Sequence, residues 1–183
     1  MISPLFCLLA LVGVGVADRW VGMESLPDGL YSGQTHDDGS TTMTSLQSGA
    51  KFTFPLVGDD GERAKRSVDD ALAKRDTSCW GYELDHDGVD EGVVALKNWA
   101  GNNGQTISSG DTTSYFGFNR KGVYVYYCIN QAHSQGNLDI NDINYALRNM
   151  DGTCRRYEAG YFLWPGTPEL VGKCRSGTAV CLG

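Results

Sequence analysis

The sequence predicts an α+β fold: a small antiparallel sheet with two helices packed on one face, an α/β sandwich stapled by disulfides. Three observations carry this. Residues 123–129 alternate Val123, Val125, Tyr127 and Ile129 against Tyr124, Tyr126 and Cys128, the period-two pattern of a strand with two distinct faces. Residues 89–100 and 140–150 instead carry apolar side chains at helical spacing. Five cysteines, Cys79, Cys128, Cys154, Cys174 and Cys181, lie in the last part of the chain, the usage of a secreted domain that relies on cross-links.

The chain of 183 residues has room for one domain or two small ones. Its formal net charge is -7, which argues against nucleic acid or an anionic membrane surface as a partner. Residues 1–17 read as a signal peptide. The apolar run 5–16 is too short to span a bilayer, and Val14-Gly15-Val16-Ala17 offers the small residues a signal peptidase needs. The expected destination is therefore secreted and extracellular.

Residues 18–75 form a second block, polar and free of cysteine. A Pro27-Asp28-Gly29 turn leads into a strand-like piece, and residues 41–44 and 51–56 read as two more short strands around Ser48-Gly49. The block reads as a propeptide able to form a small hairpin. Alone it has too few apolar residues for a stable core. It ends in two dibasic pairs, Lys65-Arg66 and Lys74-Arg75, the pattern cut by a dibasic-specific, subtilisin-like processing protease. Two adjacent acidic pockets in such a protease bind two adjacent cations.

Residues 76–183 are the expected mature domain. Residues 78–84 form a first strand. The helix over 89–100 follows, with Val89, Val93, Leu96 and Ala100 on one face, Asp87 as cap and Gly101 as stop. A hairpin over 113–118 and 123–130 turns at residues 119–122. A second helix over 140–150 carries Ile140, Ile143, Leu147 and Met150. Asp139 or Asn141 caps it, and Gly152 ends it. Residues 155–164, 169–174 and 178–182 complete the order β-α-β-β-α-β-β-β.

Five cysteines allow two bridges and one spare thiol, in fifteen arrangements. Stapled termini are common in small secreted domains, so Cys79 is expected to pair with a cysteine near the C-terminus. The spare thiol is either buried or able to couple two chains as a disulfide-linked dimer. The long spacings, without Cys-X-X-Cys, speak against zinc.

The order of elements in residues 79–182 resembles the Ecp2-like and KP4-like group of secreted fungal effectors and killer toxins. The resemblance rests on a helix after the first strand, on Tyr126-Tyr127-Cys128 in a strand, and on the polar entry Gly136-Asn137-Leu138-Asp139 to a second helix. It extends to the closing stretch from Gly172-Lys173-Cys174 to Cys181. It implies a small α/β sandwich, no cofactor, and action on other cells as host necrosis or growth inhibition.

No nucleophile elbow or zinc-binding His-Glu-X-X-His occurs. His86 between Asp85 and Asp87 reads as an exposed turn before a helix, and Asp139 with Asp142 reads as helix capping. A calcium loop from Asn137 is rejected, because Asp142 stands at the glycine position and Arg148 at the bidentate carboxylate position. Tyr124 and Tyr126 are the candidate binding surface for a sugar polymer or a protein, if their face is open. The expected function is thus a processed, non-enzymatic effector or toxin acting by binding an extracellular or cell-surface target. The alternative is a small cell-wall carbohydrate-binding protein or hydrolase.

Overall fold

The computed structural model describes residues 18–58 and 76–183. The leader, with Cys7, and both dibasic pairs lie outside the described residues. Among the described residues, twelve strands, two α-helices and one 3-10 turn (Met23–Ser25) follow in chain order. The first block carries β1 (Arg19–Trp20), β2 (Gly29–Thr35), β3 (Thr41–Ser45), β4 (Lys51–Phe54) and β5 (Leu56–Val57). The second opens with β6 (Asp76–Glu83), helix α1 (His86–Ala100), β7 (Gln105–Ser108) and the hairpin β8 (Ser114–Arg120) and β9 (Val123–Ile129). It closes with β10 (Gln135–Leu138), helix α2 (Ile140–Thr153), β11 (Glu158–Leu163) and β12 (Glu169–Arg175).

Eight strands form one antiparallel sheet in the order β4-β3-β2-β8-β9-β12-β11-β6, and both helices pack on it. The fold is α+β. The predicted alternation along β9 decides its two faces. Val125, Tyr127 and Ile129 meet Leu96 of α1 and Ile143 of α2 in one core. Tyr124, Tyr126 and Cys128 enter a second core on the opposite face.

The helices sit close to where the sequence places them. Asp85, rather than Asp87, caps α1 and accepts from the Gly88 N–H at 2.8 Å. Asp87 is left on the first turn to pair with Lys121 Nζ at 2.6 Å. Gly101 ends the helix with φ 64, a left-handed conformation that glycine adopts without strain. Asp139 caps α2 in a reciprocal capping box with Asp142. Gly152 does not stop α2; the helix runs on to Thr153, and Cys154 follows in extended conformation. The β8–β9 turn is shorter than predicted. Lys121 (φ 49) and Gly122 (φ 72) form a two-residue loop, and Asn119 and Arg120 stay in the strand. Residues 178–182 are not a strand; they form a tail with one bridge, Thr178 to Arg19. The small pair β7–β10 was not expected from the sequence, since both segments are short and polar.

Residues 18–58 do not form a hairpin apart from the rest. Strand β2 pairs with β8 from Gly29↔Asn119 to Gln34↔Ser114, so β2, β3 and β4 extend the sheet of the second block. Trp20, Met23, Tyr31 and Met43 fill the second core. These residues are too few for a core of their own, but they complete one that the tyrosines of β8 and β9 begin.

Two disulfides are present, Cys79–Cys154 and Cys128–Cys181. The expected link from Cys79 to a C-terminal cysteine is therefore corrected. Cys79 reaches the end of α2, and the tail is pinned instead to β9. Cys174 carries the spare thiol and is fully buried. Of the two places expected for the spare thiol, Cys174 occupies the buried one. Burial also pushes the thiol well above its ordinary range. In the folded protein Cys174 is expected to resist a thiol label, and to accept one label per chain once denaturant is added. Labelling under native conditions, read by intact mass, would contradict the burial.

Candidate functional site

The second core is a layer of tyrosines laid over glycines. Gly33 lies opposite Tyr115 in the β2–β8 register, and a Cβ on Gly33 would stand inside the Tyr115 ring. A Cβ on Gly117 would lie 2.5 Å from Tyr124 Cζ and 2.6 Å from the Val125 carbonyl oxygen. The first obstacle is a ring locked in the core and the second is backbone, so neither can give way. Gly117→Ala is expected to cost about 1–3 kcal/mol, the range for overpacking, read as a drop in denaturant midpoint. An unchanged midpoint would mean that the tyrosine layer has slack.

Hydrogen bonds and ring contacts fix this layer. The Trp20 ring stacks on Tyr115 at 5.5 Å between centroids. The Trp20 indole N–H donates to the Gly39 carbonyl at 3.1 Å. Tyr115 and Thr41 share a hydroxyl contact at 2.5 Å. The Tyr124 hydroxyl has no hydrogen-bond partner among the described residues. Burial raises Tyr115, Tyr124 and Tyr126 above the ordinary phenol range. Tyr127, on the helix side, is raised first by burial and then by its hydrogen bond to Glu169.

Tyr124 and Tyr126 are 0% and 1% exposed. The expectation that they present a binding surface is corrected. Their face of β9 is covered by residues 18–58 and by the C-terminal tail, which the sequence could not place there.

One group of partly exposed aromatics lies at the β6 edge of the sheet, with Trp80 and Tyr82 on β6 and Tyr161 on the neighbouring β11. Trp80 meets Tyr161 edge-on at 6.1 Å and Tyr82 at 6.4 Å. The exposed Arg175 guanidinium stands 4.4 Å over the Tyr82 ring. All three rings are half-buried, each with part of its surface open. Three features hold this edge rigid. Cys79 is bonded to Cys154, the strand bulges near Gly81, and the Gly81 N–H donates to Glu158 at 2.7 Å. The Arg155 N–H, donating at 3.1 Å, and the Gly81 N–H together hold the Glu158 carboxyl below the usual range. The sequence shows Trp80 and Tyr82 at strand spacing, but nothing in it marks β6 as an edge.

The remaining polar groups serve the fold or lie open. Lys173 is buried; its ammonium donates to the Arg156 carbonyl and lies 3.6 Å from Asp151, and burial lowers its pKa. His86 stacks on Tyr157 at 3.7 Å and bonds Glu83 at 2.7 Å, so it is the first residue of α1 rather than part of a loop. An open hollow of about 450 Å³ is lined by Gln34, His36, Asp37, Asp38, Asp111 and Thr112. Among the described residues no cluster of His, Cys, Asp and Glu has the arrangement of a metal site, and no helix is long and apolar enough to cross a membrane. No protein-family model, curated protein or solved structure matches the chain.

Proposed function

We propose that this chain is a secreted, proteolytically processed protein of effector or toxin type that acts on other cells by binding. The observation that carries the reading is the patch at the β6 edge: Trp80 and Tyr82 of β6 and Tyr161 of β11, partly open, with Arg175 of β12 over the Tyr82 ring. Aromatic side chains and arginine are the groups that dominate protein recognition. Their broad flat surfaces bind at a low cost in side-chain entropy, and the guanidinium adds charge and directional donors. The disulfides agree with an oxidising extracellular destination.

The test compares the secreted protein with W80A/R175A on target cells. Arg175 is exposed, and Trp80 is half-buried against the margins of both cores, so the circular dichroism spectrum is read beside the potency. The variant is expected to lose most cell killing or growth inhibition while keeping its circular dichroism spectrum. Retention of full potency would remove the patch from the reading. Binding to insoluble chitin or glucan without any effect on cells would replace it with the cell-wall carbohydrate-binding alternative.

A further inference from the structure

We infer that proteolysis between the two blocks does not free the cysteine-containing domain: residues 18–58 remain seated as a separate, non-covalent chain in the same sheet. The inference rests on the processing reading only for the natural cut. The interface itself stands on the described residues. Hydrolysis after Arg66 or Arg75 consumes one water per bond and leaves a carboxylate on that arginine and an amine on the next residue. Every contact described below lies outside the cut stretch and survives it.

The interface has the parts of a protein interior. Six consecutive residues of β2 pair with β8. Trp20 is fully buried against Tyr115. The β1 backbone is bonded to the C-terminal tail, with the Trp20 N–H to the Gly177 carbonyl at 2.8 Å and the Ala179 N–H to the Asp18 carbonyl at 3.0 Å. Asn119 Nδ2 donates to the Leu26 carbonyl at 2.7 Å inside the core, and Arg120 pairs with Asp28 at 2.7 Å at the rim. Loss of residues 18–58 would open the tyrosine face and leave β8 as a bare apolar edge, an aggregation-prone surface. No disulfide crosses the interface, since residues 18–75 contain no cysteine. The partner that fits this surface is therefore the N-terminal segment of the same precursor, held by strand pairing and aromatic packing alone.

The experiment uses the full secreted chain, cut by a dibasic-specific protease. A second version carries a site-specific protease sequence in place of residues 68–73, so that cutting does not depend on the dibasic pairs. Native mass spectrometry is expected to show one particle containing both pieces. A denaturing gel without reductant is expected to separate them. Recovery of a folded 76–183 chain free of 18–58 after either cut would overturn the inference. W20A supplies the second arm. In the uncut protein the tether keeps the segment at a high effective concentration, so the fold should persist. In the cut protein the segment should dissociate. Intact mass of the naturally secreted protein reports separately on the processing reading. An uncut native chain would defeat that reading and leave the engineered cut to decide the interface.

Discussion

Raising the pH above about 10 is expected to unfold the protein, with ionisation of the buried tyrosines appearing in the same transition. Tyr115, Tyr124, Tyr126 and Tyr127 are at most 1% exposed. Burial holds each phenol proton above its ordinary value of 10.0. The unfolded chain releases these protons near that value, whereas the folded chain keeps them. Stability is therefore complete below pH 10 and falls as the pH rises through and beyond it. Each such group contributes a slope of about 1.4 kcal/mol per pH unit. Four together give about 5–6 kcal/mol per unit, comparable with the whole stability of a small domain. Lys173 has the opposite sign. Its pKa is lowered from 10.5 in the folded state, so it adds stability as the pH rises toward that value, but it is one group against four. Tyrosinate absorbance and circular dichroism followed together against pH check this. Ionisation of all nine tyrosines near pH 10 with a native dichroism spectrum would mean that the four buried ones are open to water.

The second large effect is expected from C128A/C181A. This bridge closes a separation of 53 residues. Closure of that loop restricts the unfolded chain and is worth about 4 kcal/mol in chain entropy. Both sulfurs also pack in the second core, and the tail they anchor carries Gly177 and Ala179, the backbone partners of Trp20 and Asp18. Loss of this bridge should loosen the tail and the N-terminal block together. C79A/C154A removes a bridge of longer separation, 75 residues, but Cys79 is exposed on the edge strand and its loss opens no core. The denaturant midpoint should fall in both variants. Only C128A/C181A is expected to speed proteolysis within residues 18–58. Equal protection of that block in the two variants would refute the link through the tail.

The elements governed by local chemistry were legible in the sequence. Alternation along residues 123–129 assigned each side chain to its correct face. The Asp139 cap and the Gly101 stop follow from the chemistry of helix ends. Errors came where partners are distant in sequence. Strand β2 finds β8 across more than seventy residues, as in the Thr35–Thr113 contact with its separation of 78. Nothing local to 18–58 announces that Trp20 and Tyr31 complete another segment's core. For the same reason Tyr124 and Tyr126 were legible as one face of a strand but not as a covered face. The edge position of Trp80 and Tyr82 depends on the strand order of the whole sheet.

The place of Cys174 also bears on how the chain matures. Before folding, five thiols of the second block compete for partners by exchange through mixed disulfides. The thiol that must stay unpaired sits on β12 directly opposite Tyr124 of β9, so assembly of the central strands withdraws it from that competition. Cys181 lies in the tail outside the sheet and reaches Cys128 only as the tail closes over the second core. Correct pairing is thus a matter of sequence in time: a chain whose central strands close early has its spare sulfur locked away, and one oxidised first is open to mispairing at Cys174.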